Sequence, residues 1–271
     1  MIPITPTVKQ LLIINFLFFV GTLAVPQASD LLSLHFPKSD SFRIWQIITH
    51  MFMHGGMMHI FFNMFALYSF GSALEHLWGS KKFLFFYISC GLGAAMLQLG
   101  INYYEYNQSI ELISDLNLSS ETLHKVLNVK FNDGDFYRGE MFENAVRPIL
   151  EEAGKWQLIT EENFSYLFNT AIEIDSRMLG ASGAIYGLLV AFAFMFPNAQ
   201  LGLMFIPVPI KAKYFVPGLL GIDLFLGLKG ASIFGAGGTG IAHFAHIGGA
   251  LIGFIMMWYW KKNSFNNRRW N

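Results

Sequence analysis

The chain has 271 residues, 54% of them hydrophobic and only 13% charged. Soluble globular domains carry about 25% charged residues, so an ordinary water-soluble domain is excluded. Eighteen basic residues balance 18 acidic ones, and no nucleic-acid partner is expected from a chain without net charge.

In chain order, apolar runs at about 8–25, 57–78, 83–101, 181–196, 214–228 and 240–260 approach the roughly 20 residues that cross a bilayer. Six transmembrane helices are expected. The first run could instead be a cleaved signal peptide, with small residues at Thr22-Leu23-Ala24, but a retained span is the expectation. Cys90 is the only cysteine, so no internal disulfide can form.

Charge sets the orientation. Lys9, Lys81, Lys82, Lys211, Lys213, Lys261, Lys262, Arg268 and Arg269 all fall on one side of a six-span arrangement. The short loops on the other side carry only Lys38, Arg43 and Lys229. Positive loops stay inside, so both termini are expected in the cytoplasm. With no segment resembling a transit peptide, a bacterial plasma membrane is the expected bilayer.

Residues 102–177 break the apolar pattern. Fourteen acidic residues stand there against six basic ones, a net −8. Phe142, Val146, Ile149 and Leu150 recur at helical spacing. Thr160 before Glu161 and Glu162 has the form of a helix start. The chain therefore divides into 1–101 with three spans and an outer loop, an acidic insert of two to four amphipathic helices at 102–177, and 178–271 with three spans and a basic tail. The insert is expected outside the bilayer, as a solvated cap or a lid that screens substrates.

Ser182 opens the fourth run in Gly180-Ala181-Ser182-Gly183, and His246 lies early in the sixth in Ala245-His246-Ile247-Gly248-Gly249. Polar residues at membrane depth are costly and mark function. Serine and histidine are the minimum pair for nucleophilic catalysis, nucleophile plus base. With the N-terminus inside, spans two, four and six all start from the outer face. Ser182, His246, His59 and Asn63 then share the outer half of the bilayer, His246 about 9 Å along its helix at 1.5 Å per residue. Gly183 and Gly187, like Gly249 and Gly253, are spaced for close packing of membrane helices. An oxyanion formed on a carbonyl needs fixed donors. The Asn63 amide, the His59 imidazole and the Ser182 backbone N–H are the candidates. Tyr186, four residues after Ser182, could stack on the His246 ring or serve packing alone. Asp223 in span five is read as a polar residue of that helix, and a dyad is preferred to a triad.

These motifs, with His54-x-x-x-x-His59-x-x-x-Asn63 at the head of span two, resemble the rhomboid family of intramembrane serine proteases. The resemblance covers about 8–101 and 178–260. It implies an all-α membrane protein, a six-transmembrane-helix rhomboid-like bundle with a helical extramembrane insert between the third and fourth spans. It implies hydrolysis of single-span membrane protein substrates near their outer ends, with no cofactor. Ser182 and His246 then form the dyad, His59 and Asn63 the oxyanion hole, and Gly180, Gly183, Gly249 and Tyr186 support them. The loop before span two departs from the family pattern. It reads Trp45-Gln46 where Trp-Arg is usual, with Arg43 close by.

Two alternatives stand beside this reading. One is an intramembrane metal enzyme drawing on His50, His54, His59, His76, His243 and His246. The other is an inactive rhomboid-like protein that binds membrane clients.

Overall fold

The computed structural model describes residues 3–132, 136–203, 206–229 and 242–263. Its longer helices are α1 (Pro6–Ala24), α2 (Met57–Trp78), α3 (Ser80–Leu112), α4 (Ser120–Leu127), α5 (Gly139–Glu152), α6 (Glu161–Asp175), α7 (Ser182–Met195), α8 (Ala212–Lys229) and α9 (His243–Asn263). A hairpin of two antiparallel strands, β1 (Gln200–Leu203) and β2 (Ile206–Lys211), joins α7 to α8. Gly240, where the sixth span is expected to begin, lies outside the described residues. So do Arg268 and Arg269 of the basic tail and Asp133 and Asp135 of the insert.

Among the described residues, α1, α2 and α3 are long and apolar enough to cross a membrane, and α7 is a shorter apolar helix. The third helix runs on past residue 101, where the apolar run ends, to Leu112. No glycine or proline interrupts residues 101–112, so the backbone stays helical where the side chains turn polar.

The residues form two compact units. The first comprises residues 1–33, 47–98 and 178–271. Its core gathers Val8 from α1, Leu67 and Leu74 from α2, Phe83 and Phe86 from α3, Leu188 from α7 and Met257 from α9. Large apolar side chains remain on the outside, among them Leu17, Phe85, Phe225 and Trp258. Outward apolar faces of this extent fit a bilayer, where lipid covers them. At one end of this unit the buried Glu75 carboxylate of α2 accepts from the Thr7 and Val8 N–H groups, both at 2.9 Å. Those N–H groups lie at the start of α1 and have no partner one turn earlier, so an anion there satisfies them and meets the positive helix end.

In the same unit α7 and α9 touch backbone to backbone. A methyl group on Gly249 would sit 1.8 Å from the Gly183 carbonyl oxygen. This contact allows no side chain and sets the distance between the helix that starts at Ser182 and the one that carries His246.

The second unit comprises residues 34–46 and 99–177. Here α4, α5 and α6 close around Val126, Phe131, Phe142, Val146, Leu150, Leu167 and Ile174, and Phe36 belongs to the same cluster. Thr160 and Asn163 form a reciprocal capping box at the start of α6. The segment 34–46 is tied in by polar contacts as well. Asn128 Oδ1 accepts from the Asp40 N–H at 2.9 Å, and His124 Nε2 meets the Asp40 carboxylate at 2.9 Å. Gln46 is buried and organises this segment from within. Its side-chain oxygen accepts from the Arg43 N–H at 3.0 Å and the His35 N–H at 3.3 Å, and its amide donates to the Ser41 carbonyl at 3.0 Å. The Arg43 guanidinium donates to the carbonyls of Asp40 and Phe42.

Candidate active site

The site starts from one glycine. Gly180 has φ of +125°, a conformation that side chains disfavour. Its N–H donates to the His50 carbonyl at 2.9 Å, which pins the turn before α7. A methyl group there would lie 2.9 Å from His59 Nε2 and 3.5 Å from Ser182 Oγ. The glycine thus leaves room for the imidazole and the hydroxyl beside one another.

Ser182 is the first residue of α7. Its backbone N–H has no carbonyl one turn earlier, which leaves a donor at the positive end of the helix. Its Oγ lies 2.9 Å from His246 Nε2, across the close contact of α7 and α9. The Tyr186 ring, one turn further along α7, stacks on the His246 ring at 4.1 Å with 11° between planes.

Behind His246 stands Asp223 of α8, which is 6% exposed. Its Oδ1 lies 3.3 Å from His246 Nδ1 and 2.6 Å from His243 Nδ1, and its Oδ2 accepts from the Tyr186 hydroxyl. An ionised carboxylate only accepts, so with Asp223 ionised both imidazoles carry their proton on Nδ1. His246 Nε2 then presents a lone pair, and the Ser182 hydroxyl donates to it.

To the same cavity α2 supplies His59 and Asn63 from one helix face. His59 Nδ1 accepts from the Gly55 N–H at 3.3 Å, which leaves its Nε2–H as a donor. Asn63 is buried, and its amide Nδ2 has no partner among the described residues. Buried amides are normally paired, so an orphan donor suits a ligand oxygen. All four groups line one cavity of about 890 Å³. Met57, Met58, Phe62 and Ala94 add apolar walls.

The residues singled out in the sequence therefore meet: Ser182, His246, His59, Asn63, Tyr186, Gly180 and Gly183 line the cavity, and Gly183 with Gly249 forms the helix contact. Asp223 and His243 also stand in direct contact with the group, outside the dyad and oxyanion residues expected from the sequence. The available signal was that Asp223 is the only charged residue in the run 214–228. Asp223, His243 and His246 also have ligand atoms within 4.8 Å of one another, the one cluster among the described residues that could hold a metal ion.

Apolar helices with a serine, an imidazole and orphan donors gathered in one cavity define a helical membrane protein with a buried polar centre. The sequence matches the rhomboid domain over residues 41–113 and 156–263, and the chain belongs to the rhomboid family. It is 27% identical to an uncharacterized mitochondrial rhomboid protein of Schizosaccharomyces pombe, over 65% of this chain and 41% of that one. It is 40% identical to rhomboid protease GluP of Bacillus subtilis over 18% of this chain and 10% of that one. It is 35% identical to presenilin-associated rhomboid-like protein A of Danio rerio, also mitochondrial, over 35% of this chain and 22% of that one. The chain spans less than half the length of the curated relatives it matches. The expected bacterial plasma membrane gains no support from this set, in which two of the three carry mitochondrial names.

Proposed function

We propose that this protein is an intramembrane serine endopeptidase that cuts single-span membrane protein substrates, with Ser182 as nucleophile and His246 as base. The observation that carries the reading is the 2.9 Å contact of Ser182 Oγ with His246 Nε2 in a cavity that also holds Asn63, whose Nδ2 has no partner among the described residues. Proton transfer from the Ser182 hydroxyl to His246 Nε2 accompanies bond formation between Oγ and the scissile carbonyl carbon. The carbonyl π pair moves to oxygen, and the oxyanion meets donors from Asn63 Nδ2, His59 Nε2 and the Ser182 backbone N–H. His246 returns its proton to the leaving amine as the C–N bond breaks. Water then attacks the acyl carbon, losing a proton to His246, and the C–Oγ bond breaks as His246 returns that proton to Ser182 Oγ.

In this reading six helices cross the bilayer, α1, α2, α3, α7, α8 and α9. Both termini face the cytoplasm, and the acidic insert lies on the outer side. The charge distribution supports that orientation. The name of the Bacillus subtilis relative supports the protease activity.

The direct test is cleavage of a panel of single-span reporters by purified protein. The parent should cut at least one reporter near its outer end, and Ser182→Ala should cut none, since the change removes one hydroxyl from a folded site. Full cleavage by Ser182→Ala would end the proposal. The Asn63 donor is weighed in the same assay. Removing one oxyanion donor typically lowers turnover by about 10²–10³. Asn63→Ala should show a loss of that order with residual cleavage, and an unchanged rate would remove Asn63 from the site.

The cluster of Asp223, His243 and His246 supports a second reading, a metal-dependent hydrolase. Chelator should leave the parent's cleavage intact if the serine reading holds. Loss of activity with rescue by one metal would favour the metal reading.

A further inference from the structure

We infer that Asp223 is a positioning residue that converts the Ser182–His246 pair into a relay of three. The inference rests on the serine–histidine reading of the site. It follows from a concentration of donors on one carboxylate. Asp223 is buried on α8 within an otherwise apolar run. A carboxylate in such surroundings is strongly disfavoured unless it is well paired. Three groups from two other helices converge on it: His246 Nδ1 and His243 Nδ1 of α9 at Oδ1, and the Tyr186 hydroxyl of α7 at Oδ2.

Each contact constrains His246 in a different way. The Oδ1 contact at 3.3 Å places the imidazole proton on Nδ1, so Nε2 is the basic nitrogen toward Ser182. Tyr186 is held at its hydroxyl by Asp223 while its ring lies against the His246 ring at 4.1 Å, which limits tilting of the imidazole. His243 at 2.6 Å fixes Oδ1 so that the carboxylate cannot turn away. When His246 takes the Ser182 proton it becomes an imidazolium, and the fixed anion behind Nδ1 offsets that charge. Asp223 remains ionised throughout, and the proton on Nδ1 does not move. The carboxylate acts through His246 and touches no reacting atom.

A merely structural Asp223 would also bind three donors and hold α8 to α7 and α9. The two roles separate in their effect on His246. Asp223→Asn keeps the shape but removes the charge and places an amide where an acceptor stood. In the serine-protease triad the equivalent change leaves the geometry intact and lowers kcat about 10⁴-fold through the wrong tautomer. The 3.3 Å contact here is longer, and a fall in kcat of about 10²-fold or more is expected, with KM nearly unchanged and the melting temperature within a few degrees. Asp223→Glu should recover part of the lost kcat.

The tautomer is read directly by ¹⁵N spectroscopy of histidine-labelled protein, with His246 assigned through His246→Gln. The parent should carry its proton on Nδ1, and Asp223→Asn should shift it toward Nε2. Full kcat in Asp223→Asn, beside an inactive Ser182→Ala, would overturn the relay and leave the serine–histidine reading standing. Cleavage by Ser182→Ala would remove that reading itself. Should Asp223→Asn fail to fold, the parent spectrum still decides, because a neutral His246 protonated on Nε2 contradicts the inference.

Discussion

His246→Ala is expected to abolish reporter cleavage as fully as Ser182→Ala, and the double variant should be no worse than either alone. The reason is that, in the proposed reading, the two side chains perform one event. A serine hydroxyl gives up its proton only to a base already in place, and the base has no task without the hydroxyl. Residues that act as a unit are strongly non-additive in their kinetic effects. The 2.9 Å separation of Oγ and Nε2 is the geometry this coupling requires, within hydrogen-bond reach before any substrate arrives. Among the other imidazoles near the cavity, His59 faces Ser182 from α2 with its Nδ1 occupied by the Gly55 N–H, so it presents a donor and not a base. Measured kcat/KM for the two single variants and the double variant checks this. Losses that multiply would show that His246 contributes something separate from deprotonating Ser182.

A second large effect is expected far from any reacting atom. Gly249→Val should eliminate activity by separating α7 from α9. The added Cβ would fall 1.8 Å from the Gly183 carbonyl oxygen, and the obstacle is backbone, which cannot swing aside as a long side chain can. Overpacking of this kind typically costs about 1–3 kcal/mol and sometimes more. Most of the cost should appear as a shift of α9, which carries His246 one turn before Gly249. A displacement of about 1 Å is enough to cost roughly 10²-fold in rate. Gly249→Val should therefore lower both the melting temperature and the cleavage rate, the rate far more than the fraction folded. Gly218 on α8, where a Cβ meets nothing within 4 Å, is the matching control, and Gly218→Ala should change neither. Normal cleavage by Gly249→Val would mean that close approach of the two helices is not what aligns the pair.

The parts of this site that were legible in the sequence share one property. Ser182, His246, His59 and Asn63 are polar residues inside or at the head of apolar runs, where a bilayer makes them costly, and helix parity leads to the expectation that they share one depth. Their meeting in a single cavity follows from helix packing that the glycine spacing foreshadows. Asp223 was equally anomalous, yet sequence could not give its role. Whether it points at His246 or away depends on the rotation of α8 about its axis, and the run 214–228 has no polar stripe to mark a face. His243 was hidden for a similar reason, since its purpose lies in a contact with another helix.

The polar region was legible as helices but not as a unit. The spacing of Phe142, Val146 and Leu150 and the Thr160 start are local signals, and α5 and α6 carry them. That residues 34–46 join the same unit depends on Phe36 entering its core and on Asp40 meeting Asn128 and His124, contacts about 85–90 residues apart in sequence. Gln46 replaces the arginine usual in the family, and its role as an internal tie for that segment emerges only from the folded loop. Hydropathy marks where apolar side chains stop, near residue 101, whereas the helix itself runs on to Leu112.

Whether Ser182 is a nucleophile activated by His246 can be read with a fluorophosphonate probe, because phosphonylation requires an activated hydroxyl and no knowledge of the substrate. Purified parent protein in detergent or lipid is incubated with the probe, and the modified residue is mapped by mass spectrometry. A single covalent adduct is expected on Ser182, absent in Ser182→Ala and formed at least about 10²-fold more slowly in His246→Ala, the scale of general-base assistance. An adduct on another residue, or labelling of Ser182 at the same rate without His246, would contradict it.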